Sequence, residues 1–168
     1  MTFYVNTCVL RGVSSGDETQ RYYDLVDHHG RREPLTAEEI AGIGRAGHII
    51  GAHTHTHLAM RRAPAAAARE DLAINRRILE EITGGPVVHF SYPFGVRRHF
   101  SPALAEMVRE MGFRSIAAAT PGLLYEKPRP DWIQRTCWML DHPVPWNAAN
   151  LHVNGRLWVK LTSLSPIG

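Results

Sequence analysis

Two histidines four residues apart are the residues of this sequence best suited to chemistry. His53 and His57 lie in the pentapeptide HTHTH at residues 53–57, directly after the apolar run at residues 49–52. Residues four apart share one face of a helical turn, so two neutral imidazoles could converge there on one metal ion. The spacing predicts a metal site; the alternative is that both are ordinary surface or core histidines. His55 is expected to point to another side.

The residues between the histidines argue against a zinc protease. That class needs a glutamate directly after the first histidine, and Thr54 stands there. Thr54 and Thr56 are instead expected to shape the loop through local hydrogen bonds. The preceding apolar run is interpreted as a strand, and the ends of strands are where active sites gather in α/β proteins.

Predicted helices and strands alternate around these residues. Caps and apolar periodicity predict helices over 36–47, 65–82 and 101–112. Apolar runs predict strands over 3–5, 48–52, 87–91 and 115–119. This order indicates βα units around a parallel sheet, either a barrel or an open doubly wound sheet. In both architectures the binding site lies beyond the carboxyl ends of the strands.

The remaining segments are less regular. Residues 11–32 are polar and contain three glycines, which favours a long loop with one helical turn near residues 22–26. Residues 133–135 are expected to form a short strand, and 146–153 to include a helix.

Composition favours one α/β domain spanning residues 1–168. The net charge of +3 comes almost wholly from arginine. The arginine pairs at 31–32, 61–62 and 97–98 are interpreted as solvated surface rather than a nucleic-acid site, since no aromatic residues lie between them.

Cys8 and Cys137 lack the spacing of a metal site or a disulfide framework and are expected to be buried free thiols. No signal peptide or membrane span is evident, so the chain as written is expected to be cytoplasmic, with export of a longer parent left open.

Two motifs follow each other along the chain, GHIIGAHTHTHL at residues 47–58 and FSYPFG at residues 90–95. Together they resemble motifs of the polysaccharide deacetylases, the NodB-like carbohydrate esterases. The run GHIIGAHTHTHL at residues 47–58 resembles that family's second motif, H-[ST]-x-x-H after a short strand. FSYPFG at residues 90–95 resembles its third motif, and residues 3–5 resemble the strand that follows its first. The likeness extends from residue 1 to about residue 120.

This resemblance implies a deformed (β/α) barrel of the NodB type. It also implies a metal-dependent hydrolase that removes acetyl groups from N-acetylated sugars of a polysaccharide by breaking an amide C–N bond. The cofactor would be a divalent metal, usually zinc, held by His53, His57 and an aspartate. The N–H of Phe94 would complete the oxyanion hole, Pro93 would fix the turn, and Tyr92 would help wall the sugar pocket.

The first motif of the resembling family, a pair of aspartates, is not found in the sequence. It is expected upstream of Phe3, so the chain is expected to be truncated at its N-terminal strand and to lack the base and the third metal ligand. A two-histidine site would bind metal weakly. The alternative function is therefore a non-catalytic relative that binds carbohydrate or metal without turnover.

Two later residues resemble further functional positions. Some members carry an arginine in the third motif, where Phe90 and Ser91 stand here; Arg135 is the predicted substitute, unless it is a surface ion-pairing arginine. His142 matches the short L-x-H form that supplies a general acid, with His152 as a weaker candidate. The alternative for both histidines is a solvated loop. The sequence sets neither the sugar nor the oligomeric state.

Overall fold

The computed structural model describes residues 1–26, 33–120, 130, 132–135 and 143–145. Four parallel strands form one sheet in the order β1-β2-β3-β4. The strands are β1 Thr2–Val5, β2 Ile49–Ala52, β3 His89–Ser91 and β4 Ser115–Ala117. The helices are α1 Gly16–Val26, α2 Ala37–Arg45, α3 Ala65–Thr83 and α4 Pro102–Glu110, and a short 3₁₀ helix spans Arg97–His99. The α/β class with a parallel sheet is thus confirmed.

The caps predicted from sequence begin two of the helices. The Thr36 hydroxyl accepts from the N–H of Glu39, and the Glu39 carboxylate accepts from the N–H of Thr36, so both halves of the capping box are present. The Ser101 hydroxyl accepts from the N–H of Leu104 and begins α4. These caps satisfy amide groups that the first helical turn leaves unpaired.

The prediction of a long loop over residues 11–32 was wrong for its described part, because α1 covers eleven of those residues. A second reciprocal cap explains the helix. The N–H of Ser15 donates to the Glu18 carboxylate, and the N–H of Glu18 donates to the Ser15 hydroxyl. This Ser-x-x-Glu spacing is present in the sequence, and the neighbouring glycines masked it.

Apolar side chains from the sheet and helices meet in one core. Ile50 of β2, Phe90 of β3 and Ile116 of β4 lie buried against Leu72 and Leu79 of α3. Strands of a parallel sheet are usually covered on both faces, and a short continuous apolar run such as that of β2 suits this environment. This core packs α3 against the sheet and so positions the loops that leave its carboxyl edge.

The last described segments add little to the sheet. Ile133 forms an isolated parallel bridge with Ala117 in place of the predicted strand. Residues 146–153 and Cys137 lie outside the described residues, whereas Cys8 is buried and free. None of the helices in the described ranges is long and apolar enough to cross a membrane.

Candidate functional site

The two motifs meet at the carboxyl edge of the sheet. The chain leaves β2 at Ala52 and enters His53, and it leaves β3 at Ser91 and enters Tyr92. Since β2 and β3 are parallel neighbours, both loops emerge side by side. Residues 53–57 and 92–95 therefore share one site despite being nearly forty positions apart.

His53 and His57 come together, but not on a helical turn. Their ring centroids lie 5.1 Å apart, with planes inclined by 68°. The segment between them is irregular, and Thr54 and His57 adopt left-handed backbone angles with φ of 65° and 57°. The expected helical turn was thus wrong, and a sharply folded loop produces the convergence instead.

His53 is held in one orientation by the neighbouring strand. Its Nδ1 donates to the backbone oxygen of Ser91 across 2.6 Å, since a carbonyl can only accept. The proton of the neutral ring therefore sits on Nδ1, and Nε2 carries a lone pair. Burial lowers the pKa of His53 to about 4. The hydrogen bond to Ser91 opposes this shift, and His57 and Arg135 add smaller lowering effects. Neutral imidazole is the form that binds a metal.

His57 carries a buried nitrogen without a partner. Its Nδ1 is inaccessible to solvent and makes no hydrogen bond. The ring is packed by Phe94, at 4.7 Å between centroids, and by Tyr22 at 5.9 Å. Burial lowers the pKa of His57 as well. An orphaned buried nitrogen is costly unless something binds it.

Asn75 of α3 ties the histidine loop to the sheet. Its carboxamide oxygen accepts from the N–H of His53 at 3.1 Å, while its nitrogen donates to the Val5 carbonyl and the Thr7 hydroxyl, each at 3.0 Å. Asn75 is fully buried. One side chain thus links the ends of β1 and β2 to the helix that follows.

Asp71, one turn earlier on α3, anchors the middle of the loop. Its carboxylate accepts from the N–H of His55 at 2.7 Å and from the hydroxyl of Thr56 at 2.6 Å. The His55 ring turns toward Thr7, with its Nδ1 2.8 Å from the hydroxyl, so it points away from the histidine pair as predicted.

Thr54 occupies a strained position that several bonds maintain. Its hydroxyl accepts from the N–H of Leu58 at 3.2 Å, and its carbonyl accepts from the Asn6 side chain at 3.0 Å. A β-branched residue with positive φ costs about 1–3 kcal/mol. The predicted loop-shaping role of Thr54 is confirmed by these contacts.

The third motif forms a tight turn beside the pair. Gly95 has a φ of 60°, and a Cβ there would lie 2.2 Å from the Cβ of Ala119, so only glycine fits. The Tyr92 hydroxyl donates to the Gly95 carbonyl at 2.9 Å. Tyr92 and Pro93 are buried, with Tyr92 only 2% exposed, and the Tyr92 hydrogen bond closes the turn. Their roles toward a sugar stay predictions.

Phe94 is the most accessible part of that turn. It has a φ of 63°, an uncommon backbone for a residue with a side chain, and it is 38% exposed. This conformation carries the ring over His57. The predicted oxyanion role of its N–H stays a prediction.

Arg135 reaches the site from the far side of β4. Its Nη2 donates to the Ser91 hydroxyl at 2.7 Å and its Nε to the Ala118 carbonyl at 3.0 Å. The guanidinium also stacks on the Tyr4 ring at 4.8 Å. Arg135 thus contacts the residue whose carbonyl orients His53, at the motif position where the resembling family can carry arginine.

The donor set suits a divalent metal only in part. A ring with a free Nε2 and a second ring with an orphaned nitrogen fit as two ligands. Among the residues that the structure describes, no third histidine, cysteine or carboxylate completes a group able to hold a metal. His142 and His152 lie outside the described residues.

Sequence reasoning missed the two α3 anchors. Asn75 interrupts the buried apolar stripe formed by Ala68, Leu72 and Leu79. A polar residue in such a stripe needs a buried partner, and that signal could have identified it. Asp71, at the edge of this face, carried no comparable signal.

Solved structures resemble this fold. A polysaccharide deacetylase from Bacillus cereus matches with 22% identity and a TM-score of 0.57, covering 77% of this chain and 40% of its own. A Streptococcus pyogenes deacetylase in complex with acetate matches with 14% identity and a TM-score of 0.62, covering 88% and 67%. Among curated proteins no match was found.

These likenesses confirm the NodB-type fold predicted from sequence. The chain spans about two fifths of the length of the Bacillus cereus structure. The family model for polysaccharide deacetylase matches residues 2–116, which include both motifs. The chain belongs to the polysaccharide deacetylase family.

Proposed function

We propose that this chain is a metal-dependent hydrolase that removes acetyl groups from N-acetylated sugars, breaking the amide C–N bond. The observation that carries the proposal is the state of the two imidazoles. His53 donates through Nδ1 and keeps a lone pair on Nε2, and His57 carries an orphaned buried nitrogen. Both are neutral near pH 7 because burial lowers their pKa values.

In this proposal His53 and His57 hold a divalent cation, with zinc as the first choice. The chemistry that such a cation supplies in hydrolases is polarisation of the carbonyl and activation of water. Acetate, present in the Streptococcus pyogenes relative, is the acid that deacetylation releases.

The residues around the pair would orient it and the substrate. The Ser91 carbonyl binds the ring of His53, and the Asn75 side chain binds the backbone N–H of His53. The N–H of Phe94 would stabilise negative charge that develops on the carbonyl oxygen. Arg135 would act through Ser91, and His142 would protonate the leaving amine.

A second function is favoured by one observation. The described residues contain no third ligand beside the histidine pair. Two imidazoles alone bind metal more weakly than three ligands, and a base is required for turnover. A non-catalytic relative that binds carbohydrate or metal is therefore the alternative.

One experiment separates the two functions. The full chain is titrated with zinc by calorimetry and then assayed for acetate release from an N-acetylglucosamine oligomer, beside His53→Ala, His57→Ala and the control His48→Ala. His48 lies at the opposite end of β2. Zinc binding that needs both pair histidines, with acetate release, supports the hydrolase. Binding without release supports the alternative, and zinc binding independent of both histidines would falsify the metal proposal.

A further inference from the structure

Two loops bring four arginines and a histidine together at the carboxyl edge of the sheet. One loop connects β2 to α3, and the other follows β3 and contains the 3₁₀ helix. Arg61 joins them, since its Nη1 donates to the carbonyls of Arg98 at 3.2 Å and Phe100 at 3.3 Å. We call this group the arginine surface: Arg61, Arg62, Arg97, Arg98 and His99.

The positive charge of the arginine surface is not neutralised within the described part of the chain. None of its four arginines forms an ion pair with a described carboxylate, and all four are exposed. By contrast, Arg69 is paired with Glu110, and Arg77 is paired with Glu81. Clustered like charges without counter-charges raise the local positive potential and attract anions.

Burial and the positive charge of these arginines both affect the pKa of His99. Burial is the largest cause of a lowered pKa at His99, and the positive charges of Arg98, Arg62 and Arg61 lower this pKa further. Guanidiniums from both loops therefore lie near enough to act on one imidazole.

A row of rings connects the arginine surface to the histidine pair. Ring centroids lie 5.1 Å apart from His53 to His57, 4.7 Å from His57 to Phe94, and 5.2 Å from Phe94 to His99. Phe94 is partly exposed and offers an apolar surface between the pair and the arginines. The row therefore links the histidine pair to the arginine surface through Phe94 and His99.

We propose that the arginine surface binds carboxylate groups of the substrate, so that this chain takes an acidic N-acetylated polysaccharide. Guanidinium groups match carboxylates through two parallel hydrogen bonds. The placement beside the ring row favours a sugar polymer over a nucleic acid, because the anion site continues directly into the proposed deacetylation site. The proposal rests on the proposed function for the identity of that site.

The test compares two sugar polymers of equal length by calorimetry with the full chain. Hyaluronan oligosaccharide alternates N-acetylglucosamine with an acidic sugar, and the N-acetylglucosamine oligomer is neutral. We expect hyaluronan to bind about tenfold more tightly at low salt, with the difference shrinking as salt rises. The double substitution Arg62→Gln with Arg97→Gln should remove about tenfold of the hyaluronan affinity and leave the neutral oligomer unchanged.

A control removes the same charge elsewhere. Arg77→Gln with Arg114→Gln changes exposed arginines away from the carboxyl edge, since Arg114 directly precedes β4. This control should bind hyaluronan as the unaltered chain does. Arg61 is left intact because it joins the two loops.

Several outcomes would overturn the proposal. They are equal binding of the two sugars, hyaluronan binding that both double variants weaken alike, and equally tight binding of single-stranded DNA through Arg62 and Arg97. Acetate release is measured separately. Arginine-dependent hyaluronan binding without acetate release leaves this proposal standing while the hydrolase fails. Acetate release without arginine-dependent hyaluronan binding supports the hydrolase and overturns the proposal for the arginine surface.

Discussion

The carboxamide oxygen of Asn75 lies 3.1 Å from the backbone nitrogen of His53 and accepts its hydrogen bond, although 22 positions separate them. The same side chain donates to the end of β1, at Val5 and Thr7. A buried amide on α3 thus sets the point where β2 ends and the histidine loop begins. This protein hydrogen bond satisfies the His53 N–H where the loop begins, and the loop then adopts positive φ angles at Thr54 and His57.

Asn75→Leu should destabilise the fold even though leucine suits the apolar stripe. The change leaves the His53 N–H and the Val5 carbonyl without their partner, which costs about 1–3 kcal/mol in unfolding free energy. Urea denaturation measures the loss. Arg77→Leu, on the exposed face of the same helix, should change stability by less than about 0.5 kcal/mol. Equal effects of the two substitutions would contradict the anchoring role.

Gly95→Ala should disrupt the turn of the third motif. The added Cβ would meet Ala119 at 2.2 Å in a backbone with φ of 60°, so we expect a loss of more than about 2 kcal/mol. Gly85→Ala is the matched control, because a Cβ there meets nothing within 4 Å. Thermal unfolding of both variants decides the point, and a stable Gly95→Ala chain would show that the turn is not held as described.

Stability without metal should fall as pH drops from 6.5 toward 4. In the unfolded chain His53 takes up a proton near pH 6.5, whereas burial delays protonation in the folded chain to about pH 4. Between these values the unfolded state binds more protons, so acid favours unfolding, by up to about 3 kcal/mol. Burial lowers the pKa of His57 in the same direction. Urea midpoints measured across this window should depend less on pH in His53→Gln, and an unchanged dependence would refute the assignment.

Ser91 and Arg135 should be energetically coupled. The guanidinium donates to the Ser91 hydroxyl across 2.7 Å. A double-mutant cycle with Ser91→Ala and Arg135→Ala should give a coupling of about 1–3 kcal/mol, as expected for a hydrogen bond to a charged group. Denaturant unfolding of the four chains supplies the values. Strict additivity would mean that Arg135 is held by Ala118 and Tyr4 alone.

The elements that could be predicted from sequence are those with local causes. The Thr36 box and the Ser101 cap depend on residues within one turn, and both begin helices as expected. The cap formed by Ser15 and Glu18 is equally local, but the glycines of that polar segment favoured the prediction of a loop. The parallel sheet followed from the alternation of helices and strands.

The geometry of the site could not be predicted in the same way. A helical turn was the simplest way to bring His53 and His57 together, but long-range bonds from Asn6, Asp71 and Asn75 stabilise another path. Those partners lie 15 or more positions from the loop residues that they bind. Sequence spacing contains no information about such contacts until the sheet and α3 are packed.

The sequence by itself determined the residue types, the strand ends on which they lie, and the family to which they belong, because motifs and caps act over a few neighbouring residues. Only the tertiary structure decided which nitrogen of His53 is free, that Arg135 reaches Ser91, and that Arg61 joins two distant loops. These relationships depend on the register of parallel strands and on buried hydrogen bonds, whose energies exist only after the core has excluded water.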